Sequence, residues 1–223
     1  MGQMIELKTK DGQTISAYRA EPKGKLRGGL VVIQEIWGVN SHIRNVADGY
    51  AAEGYLAIAP AIFDRIERGV TMDQYTQETM QKGFGYMQKV DRDKALLDVQ
   101  AAVDAASKAG KVGVMGFCFG GRIAWLAASR IDGIAASVPY YGGGIPDLAS
   151  EKPKCPVILH FGERDQHIPV ASVEKFKKSH PTLPVYMYAA DHGFNCDQRG
   201  SYDAAAAKLA RERTLEFLRK HVG

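Results

Sequence analysis

Two short segments in which apolar and polar residues alternate open the chain, MIELKT (4–9) and TISAYRA (14–20). The joining stretch KDGQ contains Asp11-Gly12, a pair that predicts a tight turn and so a hairpin. The pattern then changes to continuous apolar runs: GLVVIQ (29–34), YLAIAP (55–60), KVGVMGF (111–117), GIAASVPYY (133–141), CPVILHFG (155–162) and PVYMYA (184–189). Runs of that length without alternation predict strands covered on both faces. Helical periodicity fills the intervals at about 41–53, 91–109, 120–130, 170–179 and 201–220. This alternation predicts an α/β fold with a mainly parallel central sheet and helices on both faces. A length of 223 residues with no repeat, low-complexity tract or linker fits one domain over 1–223.

In an open α/β sheet, ligands bind beyond the carboxyl ends of the strands. The residues that follow the apolar runs are QEIWG, AIFDR, CFGG, YYGGG, ERD and DHGFN, and every candidate for chemistry falls among them.

Composition narrows the field. The net charge of +4 is small and dispersed, so no nucleic-acid partner is expected. No apolar run approaches the ~18 residues of a membrane span, and the first residues lack the charged and apolar pattern of a signal peptide. Three cysteines in no disulfide-like framework fit a reducing cytoplasm. Nothing in the chain demands an oligomer, and a monomer is compatible with it.

GFCFGG (116–121) places Cys118 between a strand and a helix in the arrangement G-x-C-x-G. This is the nucleophile elbow with cysteine in place of serine. Glycines at 116 and 120 let the strand and helix approach closely, and the helix N-terminus favours a thiolate. An ordinary thiol is only about 3% ionised at neutral pH, so it needs a base. His192 follows the last strand, and Asp165 follows the strand before it and could orient the imidazole. The order Cys118, Asp165, His192 is the nucleophile–acid–base order of α/β-hydrolases. Asp191 is the rival acid, although a neighbouring side chain points poorly at the adjacent ring. His160 and His167 read as structural, and no histidine spacing suggests a metal. Glu35 ends the first long strand, so the N–H groups of Ile36 and Phe119 would form an oxyanion hole. A carboxylate near the thiol would favour its protonated form.

QEIWGVN (34–40), APAIFDR (59–65), GFCFGG (116–121), GERD (162–165) and DHGFN (191–195) together resemble the dienelactone hydrolase family, cysteine-dependent α/β-hydrolases that open an unsaturated lactone. The resemblance runs over nearly the whole chain. It implies the α/β-hydrolase fold, no cofactor, and a small-molecule substrate. It implies Cys118 as nucleophile, His192 as base and Asp165 as its orienting acid. Glu35 matches a glutamate that keeps the resting thiol neutral and helps deprotonate it when substrate arrives. Arg65 matches an arginine that binds the substrate carboxylate. The family's second substrate arginine lies four residues after the histidine. Cys196 stands there in this chain, which makes Arg199 the nearest substitute. The segment 66–90 should cover the site, and YYGGGIP reads as a flexible loop.

Three functions follow from these residues: hydrolysis of a carboxylate-bearing lactone, hydrolysis of another small ester or thioester, and thiol-based redox sensing on a hydrolase scaffold. A complete set of glutamate, aspartate and histidine favours the first two, because a sensor needs no oriented base.

Overall fold

In a computed structural model that describes residues 2–22 and 24–223, eight strands form one sheet. The strands are β1 (Gln3–Lys8), β2 (Thr14–Ala20), β3 (Gly28–Ile33), β4 (Tyr55–Pro60), β5 (Val112–Phe117), β6 (Ile134–Tyr140), β7 (Leu159–Gly162) and β8 (Val185–Tyr188). Their spatial order is β1-β2-β4-β3-β5-β6-β7-β8. The hairpin β1–β2 joins β4 antiparallel, and every pair from β4 to β8 is parallel.

Why the apolar runs lack alternation is visible in β3 and β5. Leu30 and Val32 enter one core, while Val31 and Ile33 enter the other. Met115 and Phe117 share the first core, and Val112 and Val114 the second. Successive side chains of a strand point to opposite faces, so a sheet covered on both sides needs apolar residues at every position.

The covering helices are α1 (Ser41–Ala52), α2 (Gln77–Lys89), α3 (Arg92–Ala106), α4 (Phe119–Arg130), α5 (Val170–Ser179) and α6 (Ala204–His221). Side chains cap four of them: Asn40 accepts from Ile43 N–H, Thr76 from Thr79 N–H, Asp91 from Asp93 and Lys94 N–H, and Asp203 from Ala206 N–H. Helix α2 was not among the helices expected from the sequence. Met80, Phe84 and Met87 recur in it at helical spacing, but Gly83 and Gly85 interrupt the run with weak helix formers, and a capping box at Thr76 and Thr79 starts it. The run at 155–162 is strand only from Leu159, since Pro156 has no N–H to donate and the preceding contact is a lone bridge from Ser137 to Val157. No helix among the described residues is long and apolar enough to cross a membrane.

Candidate active site

Beyond Phe117 the backbone turns through Cys118 at φ 53° and ψ −115°, a left-handed value for a residue with a Cβ, before α4 begins. Tight packing around the turn explains its glycines. A Cβ on Gly116 would strike the Gly120 carbonyl, and one on Gly120 would meet the carbonyls of Ile33 and Gln34. A Cβ on Gly121 would meet Tyr140 O. Cys118 precedes α4 without a side-chain cap, and its own N–H is held by Tyr140 O at 3.0 Å. The N–H of Phe119 therefore stays unpaired among the described residues, as does that of Ile36 in the loop after β3. Unpaired N–H groups at a helix start attract negative charge. Cys118 is partly exposed.

Asp165 lies beyond β7 and His192 beyond β8, and the fold brings them together. His192 Nδ1 is 2.6 Å from Asp165 Oδ2. The other carboxylate oxygen accepts from the backbone N–H groups of His167 (2.8 Å) and Ile168 (3.2 Å). Asp165 is buried, whereas its rival Asp191 is exposed, so the acid that touches the imidazole is Asp165. Burial disfavours the imidazolium of His192, yet the charge of Cys118 and the hydrogen bond donated to Asp165 outweigh it and push the ring up to about 10. His160 sits wholly buried in β7, bonded to Tyr188 and Thr214, and burial pushes it down to about 3. It is a neutral core histidine.

Glu35 is 2% exposed, and Arg199 Nη1 lies 3.3 Å from its Oε1. The guanidinium also lies over the Trp37 ring, 4.8 Å from its centroid. Burial opposes the Arg199 charge, but Glu35 outweighs it and holds the group above its ordinary value. Gly193, next to the histidine at φ 78°, makes room for this arginine, since a Cβ there would collide with Arg199 Nη1. Trp37, Tyr75, Thr76, Gln77, Met80 and Arg199 line a cavity of about 500 Å³. The segment 66–90 thus covers Arg199, through Tyr75 and the first turn of α2.

Arg65 is not brought to this cluster, which corrects the expectation from the resemblance. Its guanidinium is bonded to Asp98 (2.9 and 3.0 Å) and to Asp11 (2.8 and 3.0 Å). Those partners belong to α3 and the β1–β2 turn, and they leave Arg65 no free donor edge for a substrate anion. YYGGGIP also departs from expectation. Tyr141 and Ile145 are wholly buried, and a Cβ on Gly142 would lie 2.8 Å from Arg122 N, so the segment is packed rather than loose.

Sequence reasoning passed over Tyr141. Its backbone has φ 35°, its ring sits 5.1 Å from that of His192, and its buried hydroxyl has no partner among the described residues. Burial raises this phenol well above its ordinary value, and the charges of Glu35, Cys196 and Cys118 act in the same direction. Tyr75 was missed too, and it accepts from Asn40 Nδ2 at 2.9 Å and from the Cys196 thiol at 3.3 Å. No local pattern marks either tyrosine, because both reach the site through long-range contacts.

Comparison with known proteins places this arrangement in context. Residues 15–222 match the model of the dienelactone hydrolase family. A carboxymethylenebutenolidase of Pseudomonas putida is 31% identical, across 96% of this chain and 94% of its own. A Synechocystis protein assigned as a carboxymethylenebutenolidase is 38% identical, across 91% and 90%. A solved Klebsiella pneumoniae structure assigned as a dienelactone hydrolase superposes with a TM-score of 0.86 at 30% identity, covering 99% of this chain and 100% of the other.

Proposed function

The chain belongs to the dienelactone hydrolase family and is a hydrolase of lactones or esters, and from that premise we propose that it opens a small, unsaturated, carboxylate-bearing lactone through an acyl-enzyme on Cys118. The observation that carries this reading is the 2.6 Å bond from His192 to Asp165 beside the strained turn at Cys118. With Nδ1 tied to the carboxylate, Nε2 is the atom free to accept the thiol proton. The sulfur then attacks the lactone carbonyl, and Ile36 and Phe119 N–H groups hold the oxyanion. Collapse breaks the ring C–O bond, and the leaving oxygen takes the proton from His192. Water, deprotonated by His192, releases the acid and restores the thiol.

Glu35 and Arg199 tie this chemistry to substrate charge. A carboxylate entering the cavity competes with Glu35 for Arg199. Arg199 rather than Arg65 is the cation in this reading, and Trp37 offers a flat wall for an unsaturated ring.

Rapid quench and mass spectrometry on a panel of unsaturated lactones should trap an adduct of the acyl mass on Cys118. Cys118→Ala should lower turnover by at least about 10⁴-fold. Wild-type turnover in that variant would refute the proposal. A second reading, hydrolysis of an ester or thioester without a carboxylate, is favoured by the neutralisation of Arg199 by Glu35 in the resting site. Arg199→Gln separates the two. The lactone reading expects KM for carboxylate-bearing substrates to rise by about 10-fold or more, from the loss of a charged hydrogen bond. The second reading expects KM for the best substrate to be unmoved.

A further inference from the structure

We propose that Glu35, His42 and Cys196 form a binding site for a thiophilic divalent transition metal of the zinc type. One ligand atom from each, a carboxylate oxygen, an imidazole nitrogen and the sulfur, lies within 4.8 Å of the others. Ligands around a tetrahedral zinc stand about 3.5 Å apart, so the separations need to shrink by up to about 1.3 Å. They come from distant places: the loop after β3, the first turn of α1 and the loop after β8. All three are buried, at 2%, 3% and 0% exposure.

Two unpartnered atoms point to a ligand rather than to ordinary packing. Glu35 Oε2 and His42 Nε2 have no hydrogen-bond partner among the described residues, and buried polar atoms left in that state are costly. The other oxygen of Glu35 is the one held by Arg199, so Oε2 is available without breaking that pair. His42 Nδ1 lies 3.1 Å from Asp197 Oδ1. An N–H donated there leaves the lone pair on Nε2, which is how a carboxylate orients a metal-binding histidine. A mixed oxygen, nitrogen and sulfur donor set selects zinc or cobalt over magnesium or calcium. Access exists as well, because His42 and Asp197 stand in the wall of a surface groove of about 350 Å³ with Asn45 and Tyr202.

Binding is a proton exchange. The Cys196 S–H bond breaks, a metal–sulfur bond forms, and one proton per metal leaves to solvent. With Asp197 behind His42, three anionic groups then balance the divalent ion and the Arg199 guanidinium.

Titration of the full-length protein with cobalt(II) tests the site by its thiolate-to-cobalt absorption. One ion per chain should bind to wild type and equally to Cys118→Ala. Cys196→Ser should lose the absorption, His42→Gln should bind at least about 10²-fold more weakly, and Asp197→Asn about 10-fold more weakly. Circular dichroism checks that each variant is folded. If Cys196→Ser does not fold, Asp197→Asn decides, because that side chain is 60% exposed and its change leaves the core intact. The proposal is overturned by no absorption in wild type at millimolar cobalt, by absorption that survives Cys196→Ser, by its loss in Cys118→Ala, or by unchanged affinity in Asp197→Asn. A water bridging Glu35 and His42 would give the first of these results. Failure to trap an acyl-enzyme would leave the cobalt titration unaffected.

Discussion

At Asp165 both carboxylate oxygens are engaged, one by His192 and the other by two backbone N–H groups, so the carboxylate cannot rotate away from the imidazole. That fixed partner and the neighbouring sulfur keep a proton on His192 to higher pH than burial alone allows. The sign of the expected change follows. Cys118→Ala removes one source of negative charge and leaves burial in place, so the protonated ring is destabilised and its midpoint falls. Imidazole NMR should place the wild-type midpoint near 10 and the variant's clearly below it. An unchanged midpoint would mean that the sulfur does not act on the ring.

Between elements, the contact that bears most on the proposed oxyanion hole is the one from α2 to the Ile36 loop. Gly83 lies so close to Ile36 that a Cβ would overlap its carbonyl and stand 3.1 Å from its Cβ. Gly85, two residues further on, faces open space. Gly83→Ala should therefore push the helix off the loop and displace the Ile36 N–H. Loss of one such donor costs about 10²-fold in kcat, which bounds the effect from above. Gly85→Ala should leave kcat unchanged and stabilise the helix by about 1 kcal/mol, since alanine is the better helix former. Steady-state kinetics and thermal melts of the two variants make the comparison, and equal kcat in both would remove α2 from the account.

Across the whole molecule, Arg65 ties the β1–β2 turn to α3 through Asp11 and Asp98, well away from Cys118 in its contacts. Asp98 is wholly buried, and burial pushes its carboxyl up to about 6 against the opposing pull of Arg65. Arg65→Gln would leave that carboxylate without its charge partner. Breaking a buried pair from one side costs about 3 kcal/mol or more. Urea denaturation should show the loss, while KM for anionic lactones stays at the wild-type value. A raised KM without destabilisation would return Arg65 to the substrate site.

The strand and helix pattern, the turn at Cys118 and the positions of Glu35, Asp165 and His192 were legible in the sequence. Local rules govern each of them: two-sided burial makes apolar runs, tight approach demands glycine, and chemistry gathers after strand ends. Helix α2 was not legible, because Gly83 and Gly85 weaken its helical signal although Met80, Phe84 and Met87 keep helical spacing. Nor were the partners of the two arginines. Any strand-end arginine can bind an anion, and only folding shows that Arg65 meets two carboxylates while Arg199 meets one beside a cavity. The same holds for His42 and Cys196, which no spacing rule would join. Sequence alone determined what kind of fold and turn this chain builds, since those depend on residues close along the chain. Tertiary structure decided which charges are already spent on the protein and which face the site, because that depends on contacts between residues far apart.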